Sequence, residues 1–323
     1  MSDPVLVPDV AATGRWRVLE DDVPVGTVTL HAESALVAVL SVEIDPAHRG
    51  RGLASAAARR ARDLVFSRRA DDGSDAAPAL LRARIPVGDG AARRIAWRLG
   101  FRHDGVLRGA AGDPEAREVW LASLSPQDPR EPTTPWWRPP VLIGTGVRLR
   151  AVRDTDLPRV VEACSDPRTQ HWLGRMPAPY GPEDARIWLD AIREQEARGD
   201  SVTWALTDPE QDQRQDRLLG AINLFDLTAR DAEVGYWAHP EARGRGLMTA
   251  AVRTCLAWAF TAPPTGPGLT RVRATAAVEN AASRHVLRSA GLREAGPERI
   301  GTVLRTGPSD AVRYDVLREE FSG

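Results

Sequence analysis

The chain has 323 residues, 42% of them hydrophobic and 27% charged, which suits two soluble cores better than one. A formal net charge of -1 gives no overall attraction to nucleic acid or to an anionic membrane, so neither is expected as a partner. Two cysteines far apart in sequence, Cys164 and Cys255, read as buried thiols of a reducing cytoplasm rather than as a disulfide or a nucleophile.

From the start of the chain, residues 14–20 and 23–31 alternate around Asp21-Asp22 and predict a hairpin, with about a dozen residues ahead of its first strand. The opening residues, with two aspartates and no basic run, do not resemble a secretory leader, and no apolar run is long enough to span a bilayer. A third strand over 35–44 leads into a glycine turn, after which Leu53, Ala57, Ala61, Leu64 and Val65 stripe a helix. Arg68 to Ser74 reads as a polar loop, 79–85 as strand, 89–99 as helix, and 101–107 with 117–124 as a closing pair. Residues 125–140 hold six prolines and predict a semi-rigid linker, with Trp136 and Trp137 pinning it to a domain surface. The expected organisation is a first domain at 1–126, a linker at 127–141 and a second domain at 142–323.

The second half opens with a strand at 147–152 and then adds two helices that the first half lacks. One, over 154–164, has a capped start; the other, over 182–198, has proline in its first turn. Strands at 202–207 and 218–226 flank a polar loop over 208–217. An aromatic, alternating strand follows from Glu233 to Ala238, and Pro240 ends its ladder because it has no N–H to donate. Leu247, Ala250, Ala251, Cys255 and Trp258 then recur at helical spacing. A Pro/Gly-rich turn at 262–268, a strand at 270–276, a helix at 279–290 and two closing strands complete the chain.

Two stretches share one shape: Asp45-Pro-Ala-His-Arg49-Gly-Arg-Gly52-Leu-Ala54 and His239-Pro-Glu-Ala-Arg243-Gly-Arg-Gly246-Leu-Met248. Each puts a helix start inside a glycine run, which aims unpaired backbone N–H groups and the positive end of the helix dipole at one point. Such a point suits a phosphate. The sequence holds no lysine, which removes a Walker loop, and the third glycine of a dinucleotide fingerprint is missing. Pro240 and Arg243 stand 194 residues after Pro46 and Arg49, while Asn280 and Gly291 stand 191 after Asp89 and Gly100. The change of register falls in a loop, where length differences belong, so the halves read as a tandem repeat.

Both stretches resemble the acyl-coenzyme A pyrophosphate loop of the GNAT superfamily of N-acetyltransferases, Gln/Arg-x-x-Gly-x-Gly/Ala. Met248 in the last place of the second copy departs from that pattern and is similar to the ribosomal-protein N-terminal acetyltransferase (RimJ/RimL-like) branch. The resemblance covers residues 14–124 and 142–320. It implies an α/β (α+β) fold of two GNAT-like domains, each a mixed, splayed sheet flanked by helices. It further implies acetyl-CoA as co-substrate and direct transfer of acetyl to a primary amine, either a protein N-terminal α-amino group or a small molecule; His171 and His239 carry no spacing that suggests a metal, and none is expected. The cofactor residues it implies are Tyr236, Trp237, Ala238, Arg243, Gly244, Arg245, Gly246, Leu247, Met248, Thr249 and Asn280 in the second domain. In the first they are Arg49, Gly50, Arg51, Gly52, Leu53 and Ala54.

Acyl transfer to an amine needs a neutral nitrogen and a donor for the departing thiolate. Glu233, on the strand leading into the loop, is the candidate base, with a salt bridge to a helix arginine as the plainer alternative. Ser283, in Asn280-Ala-Ala-Ser283, is the candidate donor, and Asn280 suits both a helix cap and a contact to pantetheine. Arg243 and Arg245 read as phosphate partners or as arginines opposing Glu241. The tyrosine that many family members carry on the last helix is absent, its place being taken by Leu287 and, in the first domain, Ala96. The first domain has Val39, Asp89 and Ala92 where the second has Glu233, Asn280 and Ser283, and is expected to be non-catalytic, although Glu43 shares strand parity with the base position. The acceptor pocket is expected from segments 169–180 and 224–232, with Trp172, Tyr180 and Phe225. Two other readings stay open: a coenzyme A-binding regulatory or structural pseudoenzyme, and an interaction scaffold whose loops bind nothing.

Overall fold

The computed structural model describes residues 4–67, 78–108, 118–209 and 216–322. The loop at Arg68 to Ser74, Arg117 and most of the loop over 208–217 lie outside them. The chain divides into two compact units, Met1–Thr134 and Pro135–Gly323, so the division falls within the proline-rich segment.

In the first unit, β1 (Val5–Pro8), β2 (Arg15–Glu20), β3 (Val23–Ala32) and β4 (Val37–Ile44) form an antiparallel meander. Asp21 and Asp22 both take positive φ, which the tight hairpin between β2 and β3 requires. β1 lies ahead of the predicted first strand; its four residues are too few for alternation to declare them. Helix α1 (Leu53–Ser67) buries Leu53, Ala57, Ala61 and Val65 against the sheet. The sheet continues through β5 (Leu80–Pro86), α2 (Gly90–Arg98), β6 (Arg102–Leu107) and β7 (Val119–Leu124), in the order β1-β2-β3-β4-β5-β7-β6.

The second unit repeats this plan with additions at its front. A short β8 (Leu142–Gly144), unforeseen from the sequence, pairs with β9 (Val147–Ala151). Three helices follow rather than the expected two: α3 (Leu157–Ser165), α4 (Pro167–Trp172) and α5 (Pro182–Arg198). Strands β10 (Val202–Thr207), β11 (Gly220–Phe225) and β12 (Asp231–Ala238) lead into α6 (Leu247–Phe260), β13 (Arg271–Ala277), α7 (Ala281–Ser289), β14 (Arg293–Leu304) and β15 (Gly307–Leu317). The eight strands run β14-β15-β13-β12-β11-β10-β9-β8. Leu247, Ala251, Val252, Cys255 and Ala259 of α6 are buried on this sheet, which explains the apolar stripe. Trp137 stacks edge-on against Trp258 at 5.7 Å and gives its indole N–H to the Gly199 carbonyl, so the tryptophan of the proline-rich segment packs on the second core.

β12 and β13 are parallel but pair only over Asp231–Glu233 and Arg271–Arg273. Beyond Glu233 they part, and the β13-facing backbone of Val234 to Ala238 has no ladder partner there. The first unit parts at the same place, after Val37–Val39 pairs with Leu80–Arg82.

Candidate active site

The opened strand ends at a glycine turn. Gly244 and Gly246 have φ of 72° and 74°, a conformation L side chains avoid, and Gly246 is the residue from which α6 starts. A Cβ at either glycine would meet nothing within 4 Å, so their backbone faces open space. Gly50 and Gly52 repeat this in the first unit, at φ of 79° and 80°. Both turns therefore present bare N–H groups at a helix start, which suits a pyrophosphate.

Beside the second turn lies a cleft of about 670 Å³ between the parted strands. Its walls bring together Tyr236, Trp237, Ala238, Arg243, Gly244, Gly246, Met248, Thr249, Asn280 and Ser283, from four separate elements. Leu247 is instead turned into the core at 9% exposure. Arg243 and Arg245 take other partners than the sequence suggested. Arg243 reaches Asp166 at 2.5 Å and Thr169 Oγ1 at 2.7 Å, while Arg245 pairs with Asp208 at 2.9 Å. Glu241, the expected opponent, is held by Arg159 and Arg217. Arg243 thus ties the glycine turn to the start of α4, and its guanidinium holds the Asp166 carboxyl below the usual carboxylate range. In the first unit Arg49 bonds the Ile44 carbonyl and Arg51 pairs with the buried Glu20, so these two also fasten their turn to the sheet.

Asn280 caps α7, its side-chain oxygen accepting from the Ser283 N–H at 3.0 Å. Asn280 also lines the cleft, and its amide NH2 makes no hydrogen bond among the described residues. Asp89 caps α2 in the same way through the Ala92 N–H at 2.9 Å. Ser283 Oγ stands 2.9 Å from the Tyr236 hydroxyl, which also reaches the Ser283 carbonyl at 3.2 Å. Burial pushes the Tyr236 phenol up to about 12, so it stays protonated at any ordinary pH. Leu287 is buried in the core, in accord with its apolar reading, and His285 sits exposed on the cleft's rim.

Glu233 lies elsewhere. It is the last residue of β12 paired with β13, and it faces a second cavity, of about 850 Å³, rather than the first. The cavities meet where the strands part, sharing Trp172, Leu173, Ala274, Thr275 and Thr302. Arg273, directly across the parallel ladder, has its guanidinium 4.0 Å from the Glu233 carboxylate; the basic neighbour is on a strand, not on a helix as expected. Phe225 and Trp172 line this cavity as foreseen, but Tyr180 does not. It is buried against Val160 and Cys164 instead, a place its chain position could not reveal.

Sequence reasoning overlooked α4. Asp166 caps it through the Thr169 N–H at 2.9 Å and Pro167 opens it, a start signal that was legible but belongs to only six residues. Arg168, Thr169, Trp172 and Leu173 from this helix and its end all line the cleft. Both cysteines are buried and free, and burial pushes both thiols up, so neither is a nucleophile in waiting.

Comparison with known proteins agrees with this geometry. Residues 147–293 match the acetyltransferase (GNAT) domain model and residues 7–77 the acetyltransferase (GNAT) family model. A curated relative, "Putative ribosomal N-acetyltransferase YdaF" of Bacillus subtilis, is 38% identical over 108 residues, 33% of this chain. The match spans 57% of that relative's length. Among solved structures, RimJ of Mycobacterium smegmatis in complex with CoA-disulfide superposes with a TM-score of 0.51 at 22% identity, over 59% of this chain and 93% of its own. A GNAT-family acetyltransferase from Bacillus anthracis gives 0.48 at 20%, over 56% and 100%.

Proposed function

The chain belongs to the GNAT superfamily, with a GNAT domain in each half, and from that premise we propose that it transfers the acetyl group of acetyl-CoA to a primary amine in its second unit. The observation that supports this most is the meeting of two cavities at the parting of β12 and β13, with a glycine turn at one end and a carboxylate at the other. A cytoplasmic setting goes with this reading, as does either a protein N-terminus or a small-molecule amine as acceptor.

The residues fit the cofactor. The turn at Arg243 to Gly246 offers open N–H groups to the pyrophosphate, at about 1.5–3 kcal/mol for each charge-assisted bond. The unpaired backbone of Val234 to Ala238 offers ladder groups to the pantetheine amides, and Asn280 a spare side-chain amide. Acetyl-CoA supplies the activated acetyl group as a thioester. Glu233 accepts a proton from the incoming amine, directly or through water, and Ser283 donates to the departing sulfur. Tyr236 acts on Ser283: its phenol donates to the Ser283 carbonyl and its oxygen stands 2.9 Å from the Ser283 Oγ, which fixes the hydroxyl at the cleft.

The first unit keeps the turn and lacks the rest. Val39 stands at the Glu233 position of the ladder, Ala92 replaces Ser283, and the chain passes from β1 to β2 without a helix. Glu43 is exposed, four residues beyond the paired segment. We assign this unit to binding or bracing rather than to chemistry.

The test is thiol release from acetyl-CoA by the full chain with a panel of amines, beside calorimetric binding. Amine-dependent release supports the proposal. Binding without release for any amine would favour the coenzyme A-binding pseudoenzyme, and no binding would favour a scaffold.

A further inference from the structure

The acceptor cavity carries more than a base. Two of its arginines are committed to neighbours: Arg271 gives Asp315 hydrogen bonds of 2.9 and 2.5 Å, and Arg313 forms a bidentate pair with Glu298. Arg273 differs. Its carboxylates, Asp231 at 3.7 Å and Glu233 at 4.0 Å, lie beyond hydrogen-bond reach, and the side chain, 35% exposed, makes no hydrogen bond among the described residues. A guanidinium that is partly open to a cavity and has no hydrogen-bond acceptor keeps its donors for a ligand. Arg175, in the loop after α4, lines the same cavity, is exposed, and makes no hydrogen bond or ion pair among the described residues.

Resting on the amine-acetylation reading of this site, we propose that the acceptor is a small amine that carries a carboxylate within a few bonds of its nitrogen, an amino acid-like molecule. Its amine meets Glu233, and its carboxylate takes the accessible guanidinium nitrogens of Arg273 and Arg175. Glu233 and Arg273 are direct ladder partners, so opposite charges stand side by side at the separation that such a molecule presents internally. A planar guanidinium matches a carboxylate in shape, and the charge-assisted bond is roughly twice as strong as one to a neutral carbonyl. A protein N-terminus places a peptide carbonyl where the free acid would be and therefore ranks below it.

The test compares matched acceptors on the full chain at saturating acetyl-CoA: L-serine against L-serinamide, β-alanine against β-alaninamide, and a seryl tripeptide. Rates are referred to the neutral amine, since the carboxamides lose their proton more easily. The carboxylate member of a pair should exceed its carboxamide in kcat/KM by about tenfold or more, mainly through KM. Arg175→Gln should bring that ratio close to one, and Arg175→Lys should keep part of it. Carboxamides or the tripeptide used as well or better would overturn the inference while leaving the acetyltransferase reading in place. A ratio unchanged in both Arg175→Gln and Arg273→Gln would overturn it too. Turnover with no amine at all would remove both readings together.

Discussion

Two hydroxyls and one carboxylate carry the chemistry proposed at the residue scale. At pH 7 an α-amino group of pKa near 7.7–8.0 loses its proton for about 1 kcal/mol, whereas a lysine amine near 10.4 needs roughly 4.6. Glu233, the last residue of β12 paired with β13 and a wall of the second cavity, suits the smaller task. Glu233→Gln should lower kcat/KM by about 10²–10⁴ while acetyl-CoA affinity barely moves, and the deficit should shrink at high pH, where the amine arrives neutral. Near-wild-type turnover at pH 7, measured by thiol release, would make Glu233 a structural partner of Arg273. For the donor side, removing the Tyr236 hydroxyl takes away only the group that orients Ser283. Tyr236→Phe should therefore cut kcat by about tenfold, less than Ser283→Ala, with acetyl-CoA Kd unchanged. The double variant should fall no further than Ser283→Ala, because groups acting as one unit are not additive.

Elements explain both what was legible and what was not. The long pieces declared themselves, since the α1 and α6 stripes and the β12 alternation each recur over enough residues to fix a period. Short pieces did not: β1, β8 and α4 have four, three and six residues, too few for periodicity, so strand pairing defines β1 and β8 and only a cap signal marks α4. The candidate site was legible as far as motifs reach along the chain, through the glycine turn and Asn280 on one cavity and Glu233 on the next. Contacts between distant segments were not, which is why the Arg243 tie to Asp166 and the Tyr236 bond to Ser283 came only with the fold. Helix α5 offers a prediction of its own. Its Glu196 lies against the second sheet, accepts from the Thr203 N–H at 3.2 Å, and has its carboxyl pushed up to about 7, chiefly by burial. A folded-state value above the unfolded one means that the neutral acid contributes stability, present below the reference value of 4.5 and lost as pH rises through about 7. Glu196→Gln keeps the neutral form at all pH. It should melt a few degrees above the wild type at pH 8, about 1–3 kcal/mol, with the difference gone at pH 4.5. A constant difference across that range in calorimetric scans would mean that Glu196 is not the titrating group.

At the scale of the whole molecule, the same splayed sheet occurs twice with unequal contents. Val37–Val39 and Asp231–Glu233 part from their neighbours after the same number of pairs, so the opening is a property of the shared plan. What differs is what each unit places around the opening. The second puts α3, α4 and α5 between β9 and β10, and α4 supplies both the anchor for Arg243 and a wall of the cleft. The first joins β1 to β2 directly, and at the Arg273 position its Arg82 is drawn to Glu33 at 2.6 Å, outside the sheet opening. If chemistry belongs to the second unit alone, one change there should silence the chain even with the first turn intact. Gly246→Glu would set a carboxylate at the start of α6, where phosphate is expected, and would strain a residue at φ 74°. The open space around that Cβ leaves the fold itself free of a clash. The full-length variant should therefore melt within a few degrees of the wild type, lose amine-dependent thiol release to background, and lose acetyl-CoA binding at one site by calorimetry. Any binding that survives belongs to the turn at Arg49 to Gly52, and its stoichiometry reports whether the first unit holds the cofactor. Substantial turnover in Gly246→Glu would place catalysis in the first unit and reverse the division of labour.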